Sequence, residues 1–309
     1  MRRLAIVVPT YNRAPSLGRT LTSLVGADGE AIARALSTKE DVPAVVVVDN
    51  NSNDATAETV ASFGPAVRYL QERRQGLSFA RNTGIEAARA LGSEFVAFID
   101  DDVEAAPDWA GSVLRAFETH PEADCVGGRV LPSNPEEMPS WLTPDHWAPL
   151  ALQDHGDEPL IFDAEEPRGL IGANFAFRRE VFEEIGEFSP EVQRVKDGIG
   201  STEDHEMLQR LYDAGGSAVY VPDVVVTTRV PAQRMTQGYH RRWHLGHGRF
   251  TARMQNAAPA NALRSAAADA VRWLRRSAAR DRARAFEAET RLWFFSGILK
   301  ERYECTRRR

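Results

Sequence analysis

Short apolar runs that alternate with helical patterns constrain the fold more than any other feature of this sequence. The runs cover residues 4–8, 42–48, 66–70 and 95–99, and each ends in polar residues before a segment with apolar side chains at helical spacing. Strands this apolar suit a parallel sheet that is covered on both faces. The alternation therefore predicts an α/β fold with a mostly parallel central sheet flanked by helices.

Three consecutive carboxylates follow the fourth of these runs. Asp100, Asp101 and Asp102 repel one another, and a carboxylate is costly to bury without a partner. Ligands of open α/β sheets bind outside the carboxyl ends of the strands, where this triplet is expected. A divalent cation such as Mg²⁺ or Mn²⁺ would compensate the charge, and the alternative is a solvated acidic turn.

The rest of the chain divides by pattern. Further strands are predicted at residues 125–130, 172–179, 219–221 and 224–228, and a short helix around residues 32–36. Residues 131–168 hold seven of the 17 prolines, and this loop-rich insertion is interpreted either as a binding loop or as a flexible insertion. We expect one domain at residues 1–230, including the insertion, and a basic C-terminal helical extension at residues 231–309.

The net charge of −6 conceals a change of sign along the chain. Residues 1–228 contain 19 Lys and Arg against 38 Asp and Glu, whereas residues 229–309 contain 19 against 6. The basic end is expected to fold onto the acidic body or to meet an anionic partner. Because no base-stacking motif accompanies the charge, nucleic acid is not an expected partner.

The cysteines and the lengths of the apolar runs indicate the cellular compartment in which the protein is expected. Cys125 and Cys305 lie far apart and match no disulfide or zinc spacing, which favours a reducing compartment. The first apolar run is too short for a signal peptide, and no stretch approaches the roughly 18 apolar residues of a membrane span. The sequence therefore predicts a cytoplasmic protein without membrane spans.

Six short motifs occur in order along about the first 230 residues. They are Val8-Pro-Thr-Tyr-Asn-Arg13; Val47-Val-Asp-Asn-Asn-Ser-Asn-Asp54; Gly76 with Ala80-Arg-Asn-Thr-Gly84; Phe98-Ile-Asp-Asp-Asp102; Gly172-Ala-Asn174 with Arg178-Arg179; and Thr202-Glu-Asp204. Together they resemble the family-2 inverting glycosyltransferases of bacterial type. The resemblance implies the GT-A fold, which is Rossmann-like and binds nucleotides, and transfer of a sugar from a nucleotide-diphosphate sugar to an acceptor hydroxyl.

The same resemblance assigns roles to the aspartate triplet. Asp102 would bind Mn²⁺ or Mg²⁺ directly, and Asp100 would support both the metal and the donor nucleotide. Asp101 would face the ribose of the donor or the metal shell. The metal would neutralise the negative charge that develops on the departing pyrophosphate.

Seven further residues would hold the donor nucleotide by resemblance: Pro9, Thr10, Tyr11, Arg13, Asp49, Asn50 and Arg81. Many relatives carry a second aspartate where this chain has Asn50, and because an amide donates as well as accepts, the favoured base can differ from uracil. From the residues alone, the alternatives are a capped turn for Tyr11, a helix cap for Asp49 and a surface salt bridge for Arg81.

Four residues are assigned to the donor sugar and the acceptor: Trp141, Gly172, Ala173 and Asn174. The alternative for Asn174 is an amide that satisfies buried backbone. By resemblance Asp204, with Glu203 beside it, is the general base for the acceptor hydroxyl, which implies inversion without a covalent intermediate. From their spacing alone, these two carboxylates would be interpreted as helix-capping residues. The resemblance instead favours the catalytic interpretation.

The C-terminal segment adds weaker candidates. The candidates for contact with the diphosphate are His240, Arg241 and Arg242. The alternative is that they form an ordinary polar face of a helix. The Gln-x-x-Arg-Trp signature of processive relatives is incomplete because Tyr239 occupies the glutamine position, which predicts transfer of a single sugar.

Partners follow from the same resemblance. The acceptor would be a glycan, a lipid-linked glycan or a small molecule. The C-terminal helices would contact the inner face of the cell membrane, pack onto the acidic body or form a homodimer. The alternatives to this enzyme are a nucleotidyltransferase of similar fold and a non-catalytic nucleotide-sugar-binding protein.

Overall fold

The computed structural model describes residues 4–26, 44–193, 203–254 and 259–308. The chain divides into two units: the first comprises the described parts of Met1–Ser133, Gln153–Lys196 and Glu203–Arg229, and the second comprises Asn134–Leu152 and the described part of Val230–Arg309. The helix predicted around residues 32–36 lies outside the described residues, as does Thr202.

The first unit is built on one sheet, and half of that sheet consists of the strands predicted first. β1 (Leu4–Thr10), β2 (Ala44–Asp49), β3 (Val67–Gln71) and β4 (Phe95–Ile99) are hydrogen-bonded in the order β3-β2-β1-β4, all parallel. Every residue of β1, β2 and β4 is buried, as expected of strands that are apolar throughout. The carboxyl ends of these strands consequently share one edge of the sheet.

The other half of the sheet mixes strand directions. After β4 come β8 (Asn174–Arg178), β6 (Cys125–Pro132), β9 (Ala218–Thr228) and β5 (Val103–Ala105), and β7 (Leu160–Phe162) pairs with β9. β6 and β9 run parallel, whereas β8 is antiparallel to both β4 and β6, and β5 and β7 are antiparallel to β9. The parallel arrangement of the first strands therefore does not extend across the whole sheet.

The two strands predicted on either side of Pro222 form one continuous strand, β9. Proline has no N–H to donate, so it is tolerated within a sheet only at an edge or an irregularity. The register between β6 and β9 shifts between Gly127 and Arg129, which supplies that irregularity.

Helices pack against the strands of the first unit. They are α1 (Ala14–Val25), α2 (Thr56–Ala61), α3 (Leu77–Ala90), α4 (Trp109–Thr119), α5 (Val181–Glu184) and α6 (Glu203–Asp213), with a 3₁₀ turn at Gly64–Ala66. Gly84 lets α3 approach β1 closely, because a Cβ there would lie 2.2 Å from Val7 Cγ1.

A cluster of phenylalanine rings fills the core beneath the centre of the sheet. Phe98 of β4 lies within 5.6 Å of Phe175 of β8 and 5.3 Å of Phe188, measured between ring centroids. Phe177 and Phe182 complete the cluster with an inter-ring distance of 5.3 Å. All five rings are buried, so β8 is held against β4 by packing as well as by its hydrogen bonds.

The second unit is helical. It contains α7 (Gln237–Met254), α8 (Pro259–Ala278) and α9 (Arg282–Arg308), with 3₁₀ turns at Pro135–Glu137, Pro144–His146 and Ala148–Leu150. α7 and α9 cross at two glycines: a Cβ on Gly248 would lie 2.0 Å from Phe294 O, and one on Gly297 would lie 2.2 Å from Leu245 O. Backbones can approach this closely only where no side chain intervenes.

The insertion predicted at residues 131–168 is split between the units. Asn134–Leu152 groups with the C-terminal helices, and the chain from Gln153 onward belongs to the sheet unit. The physical reason is aromatic packing: Trp141 packs edge to face against Phe286 of α9 with ring centroids 5.0 Å apart, and His146 stacks on the same ring at 5.6 Å.

No helix in the described ranges has both the length and the apolar character that a membrane span requires.

Candidate active site

The candidate site begins where β1, β2 and β4 end. In the sheet register Thr10 is paired with Asp49, and β4 ends at Ile99, directly before the aspartate triplet. Parallel neighbouring strands thus bring residues that are far apart in sequence to one edge. The structure joins Thr10, Asp49 and the triplet as the sequence predicts.

Asp101 is the buried member of the triplet. Its Oδ2 accepts a 2.7 Å hydrogen bond from Thr10 Oγ1, and its Oδ1 accepts one of 3.2 Å from Arg13 Nη1. Burial raises the pKa of Asp101 to about 7; the charges of Asp102 and Asp100 act in the same direction, and Arg13 opposes them. The carboxylate is therefore held by the protein itself, and its ionised form depends on nearby positive charge.

Asp102 is more accessible than Asp101. About a third of its side chain is exposed, and its Oδ2 is paired with Arg13, whose side chain is also 34% exposed. The backbone carbonyl of Asp102 accepts a 2.9 Å hydrogen bond from Thr228 Oγ1 of β9. The backbone of Asp102 is thus anchored, while its carboxylate pairs with the partly exposed guanidinium of Arg13.

The loops after β1 and β2 are fastened to each other. Asn12 lies in the left-handed region with φ of 53°; its Oδ1 accepts a 2.8 Å bond from Asn53 N, and its own N–H donates to Ser52 Oγ at 2.9 Å. The carboxylate of Asp54 accepts a bond from Ala14 N at 3.0 Å. These reciprocal bonds fix the positions of Pro9 and Tyr11, which occupy the end of β1 and the start of this loop.

Asp49 is almost completely buried at the end of β2. Its Oδ1 accepts a 2.8 Å bond from Ser52 N, and its Oδ2 accepts one of 2.7 Å from the Tyr69 hydroxyl. Burial, together with the bond to Asp49, raises the pKa of Tyr69 to about 12. Asp49 is thus a pre-oriented acceptor whose partner Tyr69 is itself partly exposed.

Asn50 holds the loop after β3. Its Nδ2 donates to Glu72 O at 3.2 Å and to Arg74 O at 2.7 Å, and its Oδ1 accepts from Gly76 N at 2.7 Å and Gln75 Nε2 at 3.1 Å. Both N–H donors of the amide are used by the chain itself. A nucleotide base would have to displace a backbone carbonyl to reach these N–H groups. If Asn50 influences the choice of base, it would therefore do so by fixing the conformation of the loop after β3.

Arg81 is buried, with only 2% of its side chain exposed. Its Nη1 donates to Glu203 Oε1 at 3.2 Å, its Nη2 donates to Gly172 O at 3.3 Å, and Nη2 also lies 3.8 Å from Asp100 Oδ1. The guanidinium lies 5.1 Å from the centre of the Phe188 ring. Neither a surface salt bridge nor an open phosphate contact describes this arginine, which instead connects three parts of the site.

Gly172 and Asp204 meet directly. Gly172 N donates to Asp204 Oδ2 at 3.2 Å, and His205 N donates to Asp204 Oδ1 at 2.8 Å. Asp204 lies in the first turn of α6, at the end of the helix where the dipole attracts negative charge. Glu203 beside it is buried and paired with Arg81. The two predicted catalytic carboxylates therefore differ, and only Asp204 is partly exposed.

Ala173 and Asn174 lie inside the first unit. Asn174 Oδ1 accepts a 2.7 Å bond from Trp109 Nε1, and Asn174 Nδ2 donates to Arg129 O and Val224 O at 2.8 Å each. Asn174 is 1% exposed and Ala173 3%. The alternative considered for Asn174, an amide that satisfies buried backbone, describes this arrangement, and the residue joins β6, β8 and β9 beneath the site.

The remaining predicted residues belong to the second unit. Trp141 packs edge to face against His240 with ring centroids 5.1 Å apart, and burial lowers the pKa of His240 to about 4. Arg241 Nε pairs with Glu289 Oε1 at 2.6 Å, while Arg242 is exposed. Within this unit, Trp141 and His240 serve packing and Arg241 joins α7 to α9.

Two residues at the site, Tyr69 and Glu72, belong to none of the six sequence motifs. Tyr69 is the partner of Asp49, and Glu72 accepts hydrogen bonds from Arg74 Nη2 at 2.7 Å and Thr83 Oγ1 at 2.8 Å. The hydrogen bonds from Arg74 are the main reason that the pKa of Glu72 falls to about 2. The sequence hint for Tyr69 is its position within β3. Because side chains alternate between the two faces of a strand, that position determines the face of the sheet on which Tyr69 lies.

The sequence matches the family model described as glycosyl transferase family 2 over residues 5–186. It is 27% identical to the glucosyl-dolichyl phosphate glucuronosyltransferase of Haloferax volcanii over 70% of this chain and 66% of that protein. It is 33% identical to the validoxylamine A glucosyltransferase of Streptomyces hygroscopicus subsp. jinggangensis over 53% of this chain and 38% of that protein. The chain thus spans less than two thirds of the length of either relative.

Solved structures support the fold. The mannosyltransferase PcManGT from Pyrobaculum calidifontis, solved in complex with GDP-Man and Mn²⁺, superposes with a TM-score of 0.61 at 21% identity, covering 98% of this chain and 87% of that one. Staphylococcus aureus TarS gives a TM-score of 0.53 at 17% identity, covering 82% of this chain and 42% of that one. These similarities confirm the predicted GT-A fold.

Proposed function

The chain belongs to glycosyl transferase family 2, and we propose that it transfers one sugar from a nucleotide-diphosphate sugar to an acceptor hydroxyl with inversion at the anomeric carbon. One observation carries the proposal: Arg81 contacts both Asp100 of the triplet and Glu203, the neighbour of Asp204. Two sets of carboxylates with different surroundings therefore belong to one site, as a reaction with a charged leaving group and a separate base requires.

Asp204 is the general base of this proposal. Its carboxylate would accept the proton of the acceptor hydroxyl while the acceptor oxygen bonds to the anomeric carbon and the bond from that carbon to the diphosphate oxygen breaks. The nucleoside diphosphate leaves with the electron pair. Gly172 N holds one oxygen of Asp204 in place, and Glu203 acts indirectly, because it is buried and paired with Arg81.

Asp102 and Asp100 would hold Mn²⁺ or Mg²⁺. No three His, Cys, Asp or Glu side chains of the described residues converge in a group that could hold a metal, but Mg²⁺ commonly takes only one or two carboxylates and completes its shell with substrate phosphates and water. The partly exposed carboxylate of Asp102 suits that mode. When bound, the metal supplies Lewis-acid stabilisation of the leaving diphosphate, and the complex of PcManGT with GDP-Man and Mn²⁺ supports this choice.

The nucleoside would lie against the loops after β1 and β2. Asp49 presents a fixed carboxylate beside the Tyr69 hydroxyl, and Thr10 and Arg13 orient Asp101. Asp101 and Asp49 are almost completely buried, so they would act mainly by fixing the positions of these two loops. The partly exposed ring of Tyr11, in the loop after β1, would contact the nucleoside.

The acceptor class is proposed from the relatives. One relative is named as acting on glucosyl-dolichyl phosphate, and another, 27% identical over 80% of this chain and 74% of that protein, is the succinoglycan biosynthesis protein ExoM of Rhizobium meliloti. These names support a glycan or lipid-linked glycan as the acceptor, and the sequence predicts transfer of a single sugar.

The test is a panel of nucleotide-sugars assayed by thermal shift and by product formation, with and without Mn²⁺. One donor should raise the melting temperature only when Mn²⁺ is present, and the same donor should be turned over. Asp223→Asn is a matched control, because Asp223 is an exposed carboxylate on β9. Stabilisation without any turnover or donor hydrolysis would contradict a catalytic role.

A further inference from the structure

An apolar stripe runs along the exposed side of α8. It consists of Leu263, Ala267, Val271, Leu274 and Ala278, all exposed, with 56%, 47% and 60% exposure for Leu263, Val271 and Leu274. At about 100° per residue these positions fall within about 80° of one another around the helix axis. The α8 stripe is therefore a continuous surface and not a set of scattered residues.

In the first half of α8, the side opposite the stripe packs within the second unit, whereas residues 271–278 are exposed on every side. Ala262 is buried in a cluster with Ala252 of α7 and Ile298 of α9. Asp269 is fully buried, and its Oδ2 pairs with Arg291 Nε of α9 at 3.0 Å. The first half of the helix is thus fixed by its inner side, and the orientation that exposes the stripe is set by packing and by an ion pair whose carboxylate is buried.

Arginines surround the stripe and the turn that follows it. Residues 259–284 contain seven arginines and two aspartates, a net charge of +5. Both aspartates are already paired, Asp269 with Arg272 and Arg291, and Asp281 with Arg276 and Arg284 at 3.7 Å each. The excess positive charge is therefore presented to solvent beside exposed leucine and valine side chains.

We propose that the α8 stripe and its flanking arginines dock on an anionic lipid surface. Leucine and valine would enter the boundary between headgroups and acyl chains, while the arginines remain at the level of the lipid phosphates. Charge complementarity selects this occupant: a second copy of the same surface would bring like charge against like charge. Nucleic acid would satisfy the arginines but would leave Leu263, Val271 and Leu274 in water.

The docking surface does not depend on the sugar-transfer reaction. It involves none of the residues placed at the candidate active site, so lipid binding and catalysis can fail independently. If both hold, docking would keep the enzyme at the surface where lipid-linked acceptors are found.

The test is flotation of the full chain with lipid vesicles. Vesicles of phosphatidylcholine mixed with phosphatidylglycerol should carry the protein upward, whereas pure phosphatidylcholine should not, and added salt should weaken the association. Leu274→Ser combined with Val271→Ser should reduce the partition coefficient by about tenfold or more. Arg264→Gln and Arg275→Gln should each reduce it about fivefold.

Ile161→Ser is the matched control, because Ile161 is 52% exposed on β7 of the other unit. This variant should float like the parent protein, and thermal unfolding should show that every variant is folded. Donor turnover with a soluble acceptor should be unchanged in the stripe variants.

Four outcomes would overturn the proposal. One is equal binding to neutral and anionic vesicles; another is anionic binding that survives in the stripe variants. The third is a dimer of the parent protein, in sedimentation velocity, that becomes monomeric in the stripe variants, because a second copy would then be the occupant. Binding to RNA that requires the arginines but not Leu274 would point to nucleic acid instead and would also exclude lipid as the occupant.

Discussion

Two arginines pair with the aspartate triplet, and their surroundings are opposite. Arg81 is 2% exposed and is fixed between Asp100, Glu203 and the carbonyl of Gly172, whereas Arg13 is 34% exposed and pairs with Asp101 and Asp102. A buried ion pair cannot be exchanged for a ligand without a large desolvation cost, while an exposed pair can be. The Arg81 region therefore maintains the geometry of the site, and in the proposed reaction a metal or a donor phosphate would replace a contact of the partly exposed Arg13.

Activity gives the sharpest contrast between the two regions. Asp204→Asn, in the Arg81 region, should reduce turnover by about 10²–10⁴-fold because the acceptor proton loses its base. Donor binding with Mn²⁺ should persist in this variant. Asp102→Ala, in the Arg13 region, should abolish the Mn²⁺-dependent thermal shift together with turnover.

Thermal shift and kinetics on the same preparations measure both effects. Loss of donor binding in Asp204→Asn, or retention of the Mn²⁺-dependent shift in Asp102→Ala, would contradict the assignment of different roles to the two regions. Asp223→Asn should behave like the parent protein in both assays.

Stability should distinguish Arg81 next. Arg81→Met leaves the carboxylates of Glu203 and Asp100 close together and largely buried, and we expect a loss of about 3–5 kcal/mol in the free energy of unfolding. Adding Glu203→Gln should restore part of that loss, because the more buried of the two carboxylates that Arg81 contacts then carries no charge. Urea denaturation of the single and double variants provides the measurement, and strictly additive losses would show that the pair does not interact.

The pH dependence of stability should report on Asp101. Its folded-state pKa of about 7 lies above the ordinary value of 3.8, so between these values the native state binds more protons than the unfolded state. Stability without metal should therefore fall as pH rises from about 4 to about 7. Mn²⁺ should reduce this fall by favouring the ionised carboxylates, and Asp101→Asn should remove the contribution. An unchanged pH profile in Asp101→Asn would assign the slope to other groups.

The smallest effect is expected at Arg13. Arg13→Gln removes a partly exposed pair with Asp102 and a 3.2 Å contact with the buried Asp101. Because Asp101 can take up a proton when that charge is lost, the free energy of unfolding should fall by about 1–2 kcal/mol, less than in Arg81→Met. Because Arg13 competes for the carboxylate of Asp102, the concentration of Mn²⁺ that gives half of the thermal shift should fall in this variant. A stability loss as large as that of Arg81→Met would remove the contrast on which this assignment rests.

The sequence predicts the features of this site that are local or periodic. Continuously apolar runs predict β1, β2 and β4, and because parallel strands end at one edge, Thr10, Asp49 and the triplet could be placed together in advance. The helical spacing of Met207, Leu208 and Leu211 likewise predicts a helix that starts near Asp204. These predictions need only strand direction and the order of elements along the chain.

What the sequence does not predict depends on distant backbone atoms. The amide of Asn174 bonds to Arg129 O and Val224 O, and that of Asn50 bonds to Arg74 O. No pattern in the sequence specifies which carbonyl lies opposite a given amide. The burial of Arg81 belongs to the same class, because it follows from the packing of Phe188 and the turn at Gly172.

Gly172 limits how this enzyme can be re-engineered. A methyl group at this position would lie 2.5 Å from Arg81 Nη2, and the N–H of the same residue holds Asp204. Any side chain introduced here would move the buried arginine and Asp204 together, so a library that aims at new acceptors should keep residue 172 constant. His205 is the better position to randomise, because it is exposed and directly follows Asp204, the proposed base.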